Sequence, residues 1–222
     1  MPTILFGSIS TVADTSELQR EAFNRAFSEH GLAWRWDRDD YRATLDSNGG
    51  EARIAAFAAD RGEDVDAAAV HATKSKLFQE SLASGGVTPR AGVVETIAAA
   101  KADGARVGLV TTTSRDNITA LLDALAPALD ADAFDLVVDA ADVDEPKPDA
   151  AAYTYALDKL ATDTGEVIAI EDNPGGVAAA DAAGIVVVAF PNENTEGLDF
   201  AVAIEEIDRV DYDYLKTLLP SA

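Results

Sequence analysis

The side chains in this sequence that could do chemistry stand just after short apolar runs. Glu171-Asp172 follow Val167–Ile170, Thr111-Thr112-Thr113-Ser114 follow Arg106–Val110, and Ser8 and Ser10 follow Thr3–Phe6. Lys147 lies between Pro146 and Pro148. Carboxylates are what magnesium prefers beside water and phosphate oxygens, and a lysine is a point charge suited to an oxyanion. Each feature also has an ordinary structural reading: an acidic helix start, a Ser114 or Asp116 helix cap, an exposed loop lysine. Nucleophilic catalysis has less to draw on. The chain has no cysteine, and a serine needs an adjacent base, which the sequence does not reveal beside Ser8 or Ser10. His30 and His71 form no HxxxH or HxH pair, so no histidine metal site is expected, and both read as packing or surface residues.

Charge narrows the partners. The 222 residues carry 17 Lys+Arg against 40 Asp+Glu, a formal net charge of −23. Nucleic acid and anionic membrane surfaces require clustered positive charge, so neither is an expected partner. No apolar run approaches membrane-spanning length, and Met1 to Ser16 lacks the basic start and long apolar core of a signal peptide. With no thiols, a reducing cytoplasm is the expected compartment.

The elements that must position these residues form an alternating pattern. β-type runs at Thr3–Phe6, Arg106–Val110, Leu136–Val138 and Val167–Ile170, with a further run at Ile185–Phe190, are separated by Ala-rich helical stretches. Strands joined by helical crossovers predict a doubly wound, Rossmann-like parallel sheet covered on both faces, with ligands beyond the carboxyl ends of its strands. The first two strands are far apart in sequence. Between them, helices are expected at Ser16–His30, Arg38–Leu45, Glu51–Asp60 and Val65–Leu82, with Ser16 or Thr15 as the first cap. Gly49-Gly50 and Gly85-Gly86 punctuate this insert. The expected division is a core of residues 1–14 and 87–222 and a helical cap of residues 15–86.

These residues resemble the four motifs of the haloacid-dehalogenase (HAD) superfamily. Gly108 to Ser114 is similar to the second motif, Pro146-Lys147-Pro148 with Tyr153 to the third, and Val167 to Val177 to the fourth, continued by Ala178 to Gly184. Ala150 and Ala151 depart from the third motif. The insert resembles one branch, the CbbY-type sugar-phosphate phosphatases related to β-phosphoglucomutase. It does so through Ala22-Phe23-Asn24-Arg25-Ala26-Phe27, Gly31-Leu32 with Trp34 and Trp36, Gly49 to Ile54, and His71, Lys74 and Phe78. The resemblance implies that Thr111 and Lys147 bind phosphate and that Glu171 and Asp172 hold Mg²⁺. It also implies that Asp14, Arg53 and Lys74 orient the substrate, a small phosphorylated metabolite.

The first motif is degenerate. Thr11, Ala13, Asp14 and Thr15 fit it, but the nucleophilic aspartate falls on Gly7, the acid/base aspartate on Ile9 and the following glycine on Ser10. Gln19 and Glu51 replace a histidine and a lysine usual in the branch. Gly7 cannot attack phosphorus and Ile9 cannot carry a proton. Losing a nucleophile alone can cost about 10⁶ in rate. Mg²⁺ is expected to bind weakly or not at all, through Glu171, Asp172 and the Ile9 carbonyl, with Lys147 turned onto the acidic pair. Three readings follow: a catalytically impaired, phosphate-ligand-binding pseudoenzyme; an active HAD-type hydrolase using a non-standard group; and a ligand-free interaction protein. The sequence names no protein partner.

Overall fold

The computed structural model describes residues 1–45 and 49–219; residues 46–48 of the expected cap and 220–222 of the expected core lie outside the described residues. Five parallel strands form one sheet in the order β3-β2-β1-β4-β5, with β1 Thr3–Phe6, β2 Arg106–Val110, β3 Leu136–Val138, β4 Val167–Glu171 and β5 Val186–Ala189. All four residues of β1 and all five of β4 are buried, as expected for strands covered on both faces. Phe6 is in register with Leu109 of β2 and Ile170 of β4. That register brings residue 7, residue 111 and residue 171 to one edge of the sheet. The strands fall within a residue of the apolar runs; β4 gains Glu171, and β5 is shorter at each end than Ile185–Phe190.

A short helix, α1 Ile9–Val12, follows β1 immediately. The sequence pattern does not predict it, since four residues carry no periodicity. Its start is held by Ser8, whose hydroxyl accepts the amides of Ser10 and Thr11. Then come α2 Ser16–Glu29, α3 Arg38–Arg42, α4 Gly50–Arg61 and α5 Ala67–Ala83. The α3 helix ends earlier than the expected Arg38–Leu45, its last residues forming turns. Thr15 occupies the cap position of α2 without capping it: its hydroxyl pairs with Ser10 at 2.7 Å, and Asp14 instead accepts the Ser16 amide at 3.0 Å. At Gly85 and Gly86 the backbone takes φ values of +89° and +94°, which glycine tolerates and other residues resist. The remaining helices are α6 Val93–Ala102, α7 Arg115–Leu125, α8 Ala151–Leu160, α9 Pro174–Ala182 and α10 Tyr212–Leu218. Among the described residues no helix is long and apolar enough to cross a membrane.

The helices between β1 and β2 share an aromatic core. Trp36 packs against Phe27, Phe23 and Phe57 at centroid separations of 4.7, 5.0 and 5.2 Å. Such offset and edge-on pairs add about 0.5–1.5 kcal/mol each beyond area burial. Asn24 fixes the Trp36 backbone, accepting its amide and donating to its carbonyl, both at 2.8 Å. The cluster presents Phe23 and Tyr41 to the space over the strand ends. Polar contacts tie the two regions. Gln79 of α5 donates to Asn117 of α7 at 2.9 Å, and Arg38 pairs with Glu193 in the loop after β5 at 2.6 Å.

Candidate functional site

A cavity of about 330 Å³ lies between the carboxyl ends of the strands and the helices of residues 15–86. Ser8, Ile9, Ser10, Thr111 to Ser114, Asp172 and Asn192 form its floor, and Phe23, Tyr41, Arg53, His71 and Lys74 stand on the opposite wall. Thr111, Asp172, Arg53 and Lys74 therefore meet around one space, as expected from the sequence. Lys147, Glu171 and Asp14 do not line it.

Lys147 lies beneath the floor. Its ammonium donates to the carbonyls of Gly7 and Val110, the latter at 2.8 Å, and to Glu171 Oε1 at 2.6 Å. An ammonium has three donors, and here each has an acceptor inside the protein. Glu171, at 0% exposure, also receives the Tyr153 hydroxyl at 2.8 Å. Burial raises the Glu171 carboxyl above the ordinary carboxylate range, with Lys147 pulling the other way. Burial, then the nearby Glu171 charge, pushes the Tyr153 phenol well above its usual value, so it remains a hydrogen-bond donor.

This arrangement depends on Gly7. A β-carbon at residue 7 would overlap the Glu171 carboxylate and the Tyr153 hydroxyl, and one at Gly176 would overlap Glu171 from the other side. Two glycines thus cradle the glutamate. The space of the missing side chain at residue 7 is filled by the carboxylate that the resemblance assigns to metal.

Asp172 remains at the cavity floor, but its oxygens are engaged. Oδ1 accepts the Ser8 hydroxyl at 2.7 Å and the Asn173 amide at 3.0 Å, and Oδ2 accepts the Asn192 amide at 2.6 Å. The Ile9 carbonyl accepts the Ala13 amide at 3.1 Å. Among the described residues no three His, Asp or Glu side chains gather as a metal site. The donor set therefore does not fit Mg²⁺: one carboxylate is neutralised by an ammonium, the other already accepts three donors, and the carbonyl is turned into a helix.

Three residues differ from the sequence expectations. Ser8 does have a carboxylate beside it, Asp172, 164 residues away in sequence. Asp14 faces outward, accepting the Ser16 amide and hydroxyl and, at 3.1 Å, the Glu193 amide, so it positions loops and does not reach the cavity. His71 is a cavity-wall residue. Its ring approaches Gly50 so closely that a β-carbon there would overlap Nε2. Burial, then Lys74 and Arg53, lowers His71 to about 4, so it is neutral at pH 7. Asn192 had no signal in sequence, because only the folded loop brings it to Asp172.

Lys74 is the unusual group of the wall. It is 4% exposed, lies 4.7 Å from the Phe23 centroid and 5.1 Å from that of Phe78, and donates to Gln19 Oε1 at 3.0 Å. Among the described residues no carboxylate pairs with it. Burial, reinforced by Arg53, pulls its pKa down to about 7. Arg53 lies over Phe23 and Tyr41 at 5.8 and 5.6 Å and donates to the Thr44 carbonyl at 2.9 Å.

A family model for haloacid dehalogenase-like hydrolases matches residues 7–190. The chain belongs to this family. Within the HAD-like hydrolases it is 37% identical to Protein CbbY of Rhodobacter capsulatus over 206 residues, 91% of each chain. The crystal structure of CbbY from Rhodobacter sphaeroides in complex with phosphate matches with a TM-score of 0.87 at 35% identity, covering 94% of each chain. A variant of that protein in complex with xylulose-(1,5)bisphosphate matches with a TM-score of 0.88, also at 35% identity and 94% of each chain. The parallel sheet with flanking helices is thus the HAD-type α/β fold.

Proposed function

We propose that this HAD-like protein binds a small phosphorylated metabolite and is a pseudoenzyme for the aspartyl-phosphate chemistry of its family. One observation carries the reading: Glu171 fills the space over Gly7 and is held there by Lys147. The nucleophile position, the expected phosphate lysine and a metal carboxylate are therefore all withdrawn from the cavity. Residue 9, at the acid/base position, is an isoleucine. With no metal at the floor, an incoming phosphate opposes Asp172; two unit charges 4 Å apart interact by ~4 kcal/mol at an effective dielectric of 20.

A cavity with a buried lysine that no carboxylate pairs among the described residues favours a ligand-binding protein over a ligand-free interaction protein, since burying an unpaired ammonium is costly. Binding of phosphate and of xylulose 1,5-bisphosphate by CbbY of R. sphaeroides supports a phosphorylated ligand. On this reading residues 15–86 act as the cap over a core of 1–14 and 87–222, Thr111 and the hydroxyls beside it contact the ligand, and Mg²⁺ plays no part. The charge balance and the lack of cysteine suit a cytoplasmic protein with no nucleic-acid or membrane partner.

A second reading rests on the Ser8–Asp172 pair, a hydroxyl 2.7 Å from a carboxylate that could take its proton. Against it, the Ser8 oxygen already accepts two backbone amides as a helix cap. The test is hydrolysis of p-nitrophenyl phosphate and a panel of sugar phosphates with and without Mg²⁺. No turnover above background is expected. Turnover near an ordinary ~10 s⁻¹, abolished by Ser8→Ala, would establish the serine-based hydrolase instead.

A further inference from the structure

The cavity is polarised. Its cationic groups, Lys74 and Arg53, stand on the wall contributed by residues 15–86, with the neutral His71 beside them. Its floor holds hydroxyls, amides and one carboxylate: Ser8, Ser10, Thr111, Thr112, Asn192 and Asp172. No lysine or arginine among the described residues lines that floor. Lys147 is beneath it with all three donors used internally. Arg90, the other cation near the strand ends, donates to the carbonyls of Ser10, Phe190 and Pro191 and lies over the Phe190 ring, outside the cavity.

We propose that the cavity selects a ligand with one anionic end, seated at Lys74 and Arg53, and an uncharged polyhydroxyl end lying on Ser8, Thr111 and Asp172. The ligand class is a sugar monophosphate, and a sugar bisphosphate is rejected. The chemistry of the two ends requires this. A phosphate at the wall meets two cations, one of them a buried ammonium with a single acceptor among the described residues. A second phosphate on the floor meets the Asp172 carboxylate, with no lysine or arginine on the floor among the described residues to offset it, and like charges brought together discriminate strongly against a partner. Sugar hydroxyls there can donate to Asp172 and accept from Thr111, so a neutral end is matched. Specificity against the bisphosphate is thus set by what Lys147 no longer offers.

This inference rests on the ligand-binding reading above, and the experiment separates the two. Calorimetric titration compares xylulose 5-phosphate, xylulose 1,5-bisphosphate and free xylulose against the intact protein. The monophosphate is expected to bind roughly tenfold or more tightly than either of the others. Bisphosphate binding as tight as monophosphate overturns the inference and leaves the ligand-binding reading standing. Failure of both phosphates to bind overturns both. Lys74→Met, a neutral chain suited to the slot between Phe23 and Phe78, is expected to remove the preference of monophosphate over free sugar. If it keeps that preference, the anion does not sit at Lys74 and the proposal fails.

A pH series on the unaltered protein gives a second readout should Lys74→Met not fold. Lys74 is faced by Gln19 and Phe23 from α2, by Arg53 and Glu51 from α4, by His71 and Phe78 from its own helix, and by Asp172 across the cavity. Of these groups His71, lowered to about 4, is neutral across this range. Monophosphate affinity is therefore expected to fall above pH 7, by up to about tenfold per unit, with proton uptake on binding. Affinity that does not change between pH 7 and 9 overturns the assignment of the anion to Lys74.

Discussion

The Glu171 carboxylate lies where a side chain on residue 7 would have to go, and Lys147 holds it there. The two positions exclude one another: a residue larger than glycine at 7 and an inward Glu171 cannot coexist in this geometry. The glycine at residue 7 and the burial of the acidic side chain are thus one structural feature. That link explains how the fold keeps a packed, satisfied interior beneath the cavity.

Gly7→Ala is expected to destabilise the protein by at least ~1–3 kcal/mol, the usual range for overpacking, because the new methyl meets a buried ion pair with little freedom to move. Glu171→Asp, one methylene shorter, should relieve part of that cost when combined with it. Urea denaturation of the two single variants and the double variant checks the coupling. Simple additivity would show that Glu171 does not occupy the site over residue 7.

Lys147→Met leaves the Glu171 carboxylate buried without its cation. A loss of about 3–5 kcal/mol is expected, the range for breaking one side of a buried pair. At this chain length each kcal/mol corresponds to roughly 2–4 °C in Tm. Adding Glu171→Gln to Lys147→Met keeps an acceptor for the Tyr153 hydroxyl while removing the stranded charge, so it should restore most of the loss. A Lys147→Met variant as stable as the parent would mean that Lys147 is free to serve a ligand.

The strands were legible because each is a short apolar run bounded by polar or small residues, and their parallel pairing follows from the helical crossovers between them, while their order came from the structure. The helices from Ser16 to Ala83 were legible to within a few residues through their periodicity. Thr111 and Asp172 could be placed at one cavity because they follow strand ends, whereas Arg53 and Lys74 were expected there only from the family resemblance. What sequence could not give was the state of the polar groups. Lys147 is saturated by two backbone carbonyls, from residues 7 and 110, and carbonyls carry no sequence signal. Asp14, expected from the resemblance to orient the substrate, is turned outward by its cap on Ser16 and its bond to Glu193. The partnership of Ser8, Asp172 and Asn192 spans three loops that only the closed sheet brings together.

Lys74 sets a pH dependence of stability whose sign is opposite to that of a paired lysine. Its folded pKa is about 7 against an ordinary 10.5, because burial and Arg53 disfavour the charged form. Between those values the unfolded chain holds a proton that the native protein has released, so stability rises with pH across this window. The penalty of burying the ammonium is fully present below pH 7 and is lifted as the pH climbs. His71 adds a second window. With a folded pKa of about 4 against 6.5, it makes the protein lose stability as the pH falls between them, since unfolding then takes up a proton. Thermal or urea unfolding of the parent and of Lys74→Met from pH 7 to 10 isolates the lysine. The parent should gain stability relative to the variant by a few kcal/mol over that range. A constant difference between the two proteins would show that Lys74 keeps its proton in the folded state and that the cavity wall stays cationic at high pH.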